Sequence, residues 1–259
     1  MHSVSLSNSA GAVSIGPGPL SRVRVVLVRP THPGNIGASA RAMKTMGLTR
    51  LCLVAPSRFP SAEATAMAAG ADDVLYHAGV HESLPEALAG SGLVVGTSAR
   101  RRGIAWPGAG PRAAAAQVLD AARYGEVALV FGPEHSGLAN SEIESCQLMV
   151  CIPTAPDFSS LNLAAAVQIM AYEVRQAALD AGPMSHRPEA RSATAEELGQ
   201  LYAHLEETLV AVGFLDRAKP GRLMHRLKRL FNRARLDHNE LSILRGFLAA
   251  VQRRGKGSR

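Results

Sequence analysis

From residue 23 the chain settles into short, nearly continuous apolar runs separated by polar and small-residue stretches. Residues 23–28, 51–54, 93–95, 127–131 and 148–152 are such runs, rich in Val and Leu, and they predict strands buried on both faces. Between them, helical spacing predicts helices over residues 35–46, 62–69, 83–89, 113–123, 141–146 and 161–181, plus a further short strand over 74–76. Gly47 ends the first helix, and residues 105–110 read as a loop. Strands alternating with helices predict an α/β fold with a mostly parallel sheet. In such sheets ligands sit beyond the carboxyl ends of the strands. The loops after Val28, Val95, Phe131 and Ile152 are therefore where chemistry belongs.

The pattern changes near residue 182. Residues 182–193 contain Gly182, Pro183 and Pro188 and read as a linker that closes a domain spanning 23–181. Thr194-Ala195-Glu196-Glu197 carries helix-opening chemistry, and Leu198, Leu201, Leu205, Leu209 and Val212 keep helical spacing after it. Gly213 stops this helix. Two more are predicted over 221–234 and 238–252, the second capped by Asp237. Residues 194–259 thus form a small helical extension, too small to be stable alone. Residues 1–22, rich in Ser, Gly and Pro, read as a flexible lead-in.

Charge sharpens this division. The chain of 259 residues has a formal net charge of +7, which points to an anionic partner, nucleic acid first. From Arg217 to Arg259 there are 13 Lys/Arg against 2 Asp/Glu, a net of +11, whereas the rest carries 15 against 19, a net of −4. No apolar stretch approaches the length of a membrane span, and the uncharged first residues lack a signal-peptide n-region. Cys52, Cys146 and Cys151 are odd in number, with no Cys-x-x-Cys pair. They fit a reduced cytosol and neither a disulfide framework nor a zinc site; no metal is expected.

Four stretches carry candidate chemistry. Asn35 is placed to cap the first helix, small residues follow, and Arg41 lies six positions on. That is either an anion site with an Arg beside it or a tightly packed helix with a surface Arg. Gly132-Pro133-Glu134 with Gly137-Leu138 follows a strand, and Glu134 reads as a site residue or as a cap for the next helix. Ser159 and Ser160 precede the long helix as good caps, with Asn162 less expected in its first turn. Gly96-Thr97-Ser98-Ala99-Arg100-Arg101-Arg102 places three arginines after a strand end, a reasonable phosphate site.

In order and spacing these stretches together resemble the SPOUT superfamily of S-adenosylmethionine-dependent RNA methyltransferases. The segment from Asn35 to Arg41 is similar to its first motif, Gly132 to Leu138 to its second, and Ser160-Leu161-Asn162 to its third. Within it the chain is most similar to the TrmJ group of tRNA 2′-O-ribose methyltransferases. Gly96 to Arg100, Trp106-Pro107, Phe158 to Leu163 and the C-terminal extension carry that likeness. The resemblance implies a C-terminal trefoil knot in the α/β domain, a cofactor bent within it, and a cytoplasmic homodimer with each active site at the dimer interface. It implies S-adenosylmethionine held by Thr97, Ser98, Ala99, Gly132, Ile152, Ser159, Ser160 and Leu161. Arg41 would be catalytic, supported by Asn35, Glu134, Ser160 and Asn162. RNA would be met by Arg41, Arg100, Arg101 and Arg102, and on the extension by Arg222, Arg226, Lys228, Arg229 and Arg233. The partner implied is tRNA, with no DNA and no membrane, and the target is cytidine or uridine at position 32 of the anticodon loop.

An Arg is too basic to remove the hydroxyl proton, so Arg41 is expected to grip a phosphate and polarise the 2′-hydroxyl. Two other readings stay open: methylation of a different tRNA or rRNA ribose, and RNA binding without catalysis. A dinucleotide enzyme or P-loop kinase is disfavoured, because the Gly-x-Gly at Gly16–Gly18 precedes the first strand and lacks the third glycine of the dinucleotide fingerprint, and no Walker-type loop occurs.

Overall fold

The structure, a computed structural model, describes residues 18–98, 106–181 and 190–256. The expected flexible lead-in falls largely, and the linker mostly, outside these residues. Among the described residues, after a 3-10 turn at Pro19–Arg22, seven strands form one sheet: β1 (Val23–Val28), β2 (Arg50–Val54), β3 (Gly79–His81), β4 (Ser91–Thr97), β5 (Gly108–Ala109), β6 (Glu126–Phe131) and β7 (Leu148–Val150). Their order is β3-β2-β1-β6-β4-β7-β5, and every pairing is parallel.

Alternate strand residues point to opposite faces, and both faces are covered. Val25, Leu27, Leu53, Leu129 and Phe131 meet α1 (Pro33–Thr45), α2 (Ala62–Ala68), α5 (Pro111–Ala122) and α7 (Leu163–Asp180). Val26, Val28, Val94 and Val130 meet α4 (Leu84–Leu88) and the segment around α6 (Asn140–Ile143). One contact is unusually close. A Cβ at Gly37 in α1 would land on the backbone carbonyl of Ala64 in α2, so only glycine lets these helices touch.

Several sequence expectations need correction. Residues 74–76 are not a strand. They belong to α3 (Asp72–Tyr76), and the edge strand β3 comes just after them. Two acidic residues at the start of α3 suit a helix N-terminus and outweigh the β-branched Val74. The loop expected over 105–110 contains β5, whose two residues pair with Met149 and Val150. The first helix starts at Pro33, with His32 at its N-cap, so Asn35 lies inside the first turn and caps nothing. Neither Ser159 nor Ser160 caps α7. Asn162 does, accepting from the Ala164 and Ala165 amides.

The extension folds as α8 (Ala195–Ala211), α9 (Leu223–Ala234) and α10 (His238–Lys256). Thr194 and Glu197 form the expected capping box, and Asp237 accepts from the Glu240 amide. Leu198, Leu201, Leu205, Leu236, Leu241 and Leu248 make its own core. Val212, expected on that face, is exposed, because α8 has ended at Ala211. The Ala193 amide donates to the Leu236 carbonyl, so the chain entering the extension is pinned against the turn between α9 and α10.

The extension also grips the sheet domain. Glu144 accepts from His225 Nδ1 at 2.7 Å and pairs with Lys228 Nζ at 2.6 Å, and its carbonyl accepts from Asn232 at 2.9 Å. Tyr202 closes the junction by donating to Asn232 at 2.7 Å. Trp106 donates to the Cys146 carbonyl and lies 5.3 Å from the His225 ring.

Candidate active site

A cavity of about 270 Å³ opens at the carboxyl ends of β4, β6 and β7. Thr97 and Ser98 form one wall, the turn from Phe131 to Gly137 a second, and Ile152 with Ser159, Ser160 and Leu161 a third. Leu163 and Ala166 on the first turn of α7 close the apolar end. Seven of the eight residues expected to hold the cofactor line this cavity; the eighth, Ala99, lies outside the described residues, as do Arg100, Arg101 and Arg102.

The walls are held by hydrogen bonds to backbone carbonyls. The Ser98 amide donates to Val150, and Thr97 Oγ1 donates to the Val130 carbonyl, tying three neighbouring strand ends together. At Gly132 a Cβ would collide with the backbone of Gly137 and Leu138. The turn therefore folds back on itself at a position only glycine permits.

Three distant segments meet in one hydrogen-bond chain. Glu134 is the terminal acceptor. It takes Thr31 N–H at 3.0 Å and Thr31 Oγ1–H at 2.9 Å on one oxygen, and Asn35 Nδ2–H at 2.9 Å and His32 N–H at 3.3 Å on the other. Asn35 Oδ1 then accepts from Asn162 Nδ2 at 2.9 Å, and Asn162 Oδ1 caps α7. Each amide has one orientation that satisfies both neighbours, so the polarity of the chain is fixed. Burial opposes charge on Glu134. The bonds from Asn35 and Thr31 outweigh it and hold the carboxyl down to about 2, from an ordinary 4.5. Glu134 is thus an ionised anchor and not a proton carrier near neutrality. The next helix does not use it: α6 is capped through Glu142, which accepts from the Ala139 amide at 2.6 Å.

Thr31, which gives Glu134 two bonds, carried no signal beyond its place in a strand-end loop. The chain enters that loop through Arg29, held at φ 46° and paired with Glu142 at 2.5 Å. A left-handed Arg is costly unless its surroundings enforce it, and here the turn carries Thr31 under Glu134. His135 also lines the cavity without having been singled out, and its ring stands edge-on to His32 at 6.1 Å.

Arg41 stands apart. It is exposed on α1, does not line the cavity, and has no ion-pair partner among the described residues. On the extension, Arg222, Arg226 and Arg233 face solvent on α9 and its start. Lys228 is taken up by Glu144, and Arg229 is half-buried with an unpartnered Nε.

Residues 22–172 match the SpoU rRNA Methylase family, and residues 196–259 match the C-terminal domain of the tRNA methyltransferase TrmJ. The chain is 50% identical over 248 residues to tRNA (cytidine/uridine/adenosine-2′-O-)-methyltransferase TrmJ of Pseudomonas aeruginosa, covering 92% of this chain and 96% of that one. It is 48% identical to tRNA (cytidine/uridine-2′-O-)-methyltransferase TrmJ of Escherichia coli K12, covering 93% and 99%. The crystal structure of TrmJ from Z. mobilis ZM4 superposes with a TM-score of 0.78 at 34% identity, covering 88% of this chain and 98% of that chain.

Proposed function

This chain belongs to the SpoU methylase family, with a TrmJ-type C-terminal domain, and we infer that it transfers a methyl group from S-adenosylmethionine to a ribose 2′-hydroxyl of tRNA. The observation that carries this reading is the Glu134–Asn35–Asn162 chain, which draws three sequence-distant segments around one cavity beside a basic helical extension.

The cavity fits the cofactor chemically. Thr97, Ser98, Ser159 and Ser160 offer hydroxyls for a ribose and an amino-acid moiety, while Phe131, Ile152, Leu161, Leu163 and Ala166 offer an apolar slot for adenine. When bound, S-adenosylmethionine supplies an electrophilic methyl on a sulfonium, so the protein has mainly to position the acceptor. Ala99 is proposed to complete the cofactor wall.

Arg41 is proposed to hold the phosphate next to the target ribose and polarise its hydroxyl. Ser160 and Asn162 orient that hydroxyl, and Asn35 with Glu134 keeps Asn162 in place. Arg41 does not line its own chain's cavity, which supports a homodimer whose second copy completes each site. Exposed Phe158, Tyr172 and Leu179 provide apolar surface for such a contact. We propose that the cavity segment forms a trefoil knot, as in the superfamily, and that the enzyme works in the cytoplasm on tRNA without DNA or membrane. Arg222, Arg226 and Arg233, with Arg229 and the arginines at 100–102, are proposed to hold the tRNA backbone, while Lys228, paired with Glu144, holds in place the helix that carries them. The target is cytidine or uridine at position 32.

The test is incubation with tRNA and methyl-labelled S-adenosylmethionine, followed by mass-spectrometric mapping of the nuclease digest. A 2′-O-methyl mark at position 32 is the expected product. A mark elsewhere on tRNA overturns the position alone, and no transfer overturns the enzyme reading. Light scattering that returns a monomer mass overturns the homodimer.

A further inference from the structure

The α8–α9 loop sets an exposed aromatic ring, which the assigned site does not use, at the start of a cation-rich stretch with no acidic residue. Phe214 is 69% exposed although it follows directly on a well-made helix end. Gly213, at φ 73°, donates to Val210, and the Phe214 amide donates to Leu209 at 2.9 Å, the paired bonds of a Schellman cap. In that motif the residue after the glycine commonly packs back on the helix. Here the neighbouring Leu215 takes the buried position, at 5% exposure, and Phe214 is left pointing outward. The loop beyond is tied as well, since Asp216 accepts from the Ala218 and Lys219 amides.

A single exposed apolar residue is ordinary. Its setting is not. Between Asp216 and Asp237 there are eight Lys/Arg and no Asp/Glu. Of these, Arg217, Lys219 and Arg222 lie within eight residues of Phe214, are exposed, and have no ion-pair partner among the described residues. An exposed aromatic face on a tied loop that also carries unpaired cations matches an unstacked base with its phosphates. Ring and base stack while the cations meet the backbone.

We propose that Phe214 is a stacking platform for an unpaired base of the tRNA, flanked by Arg217, Lys219 and Arg222 on the adjoining phosphates. The proposal rests on the tRNA reading above and adds a base-contacting subsite to it. The tied loop matters, because a backbone already held in place loses little freedom on binding.

The test compares Phe214→Ala, Phe214→Leu, Phe214→Tyr and Phe214→Trp for tRNA affinity across a salt series, with the wild type alongside. Stacking predicts that Ala and Leu bind about tenfold more weakly and that Tyr and Trp bind like wild type. Stacking carries no counterion release, so the Ala variant keeps the wild-type salt slope, whereas Arg217→Gln and Lys219→Gln reduce it. S-adenosylmethionine affinity by calorimetry and circular dichroism stay unchanged in the Phe214 series. Wild-type affinity in the Ala variant, or in the Leu variant, overturns the platform. So does a drop in oligomer mass in the Ala variant, which would make the ring's partner a second copy of the chain. If the wild type itself fails to bind tRNA, the tRNA reading falls first and the subsite with it.

Discussion

Asn35 and Glu134 are 99 residues apart in sequence and joined by a 2.9 Å hydrogen bond, with Asn35 donating to the carboxylate. Because Asn35 also accepts from Asn162, its amide must present N–H to one neighbour and oxygen to the other. Asn35→Asp keeps the size and removes the donor, setting a second carboxylate against Glu134. The expected outcome is a larger fall in methyl-transfer rate and in melting temperature than Asn35→Ala produces. Asn35→Ala itself should cost about 2 kcal/mol for two lost bonds. Thermal melts and single-turnover rates of the two variants check the order.

Glu134 sets an acid limit on this arrangement. Its folded value, about 2, lies below the ordinary 4.5, so its stabilisation is complete above that value and is lost as pH falls from about 4.5 toward 2. Glu134→Gln lacks this dependence. The gap in melting temperature between wild type and Glu134→Gln should be widest near neutral pH and narrow steadily through that window. A gap that stays constant with pH would remove Glu134 from this role.

Two glycine-to-alanine changes in helices should have opposite signs. At Gly37 the new methyl meets the Ala64 carbonyl, and at Gly199 in α8 it meets open space. Gly37→Ala is expected to destabilise by about 3 kcal/mol. Gly199→Ala should stabilise by about 0.5–1 kcal/mol, from helix propensity alone. Urea titrations measure both.

Arg41 is exposed and unpaired among the described residues, so its removal leaves the fold intact. Arg41→Ala should lose most methyl transfer at saturating tRNA while melting temperature and S-adenosylmethionine affinity stay at wild-type values. Full transfer rate in this variant would take the catalytic role away from Arg41.

One fastening of the extension is Glu144, whose carboxyl is pulled below its usual range by Lys228 and His225 despite the opposing effect of burial. A double-mutant cycle over Glu144→Ala and Lys228→Ala should return a coupling of about 1–2 kcal/mol. Additive losses would mean that the pair adds nothing to docking.

Much of this was legible in the residues. Buried parallel strands declare themselves as unbroken apolar runs, and loops at their carboxyl ends follow from chain direction; together they located Thr97, Gly132, Ile152 and Ser160 on one cavity. The capping box at Thr194 and Glu197 was legible for the same local reason. What failed was long-range or finely balanced. Asn35 looked like a cap because capping is local, yet its partners come from residues 134 and 162. Residues 74–76 have strand-like composition, but the acidic pair before them and the packing of α3 made a helix. β5 is only two residues long and is a strand only because Met149 and Val150 lie beside it.

Trp106 is the only tryptophan in the chain, and it sits at the seam between the two folded parts, against His225. The protein therefore carries an internal optical gauge. Undocking of α9 would free the indole from the imidazole and expose it to water, changing its emission without any added label. The grip of the extension on the sheet domain can be followed in real time in the unmodified chain, through substrate capture and release.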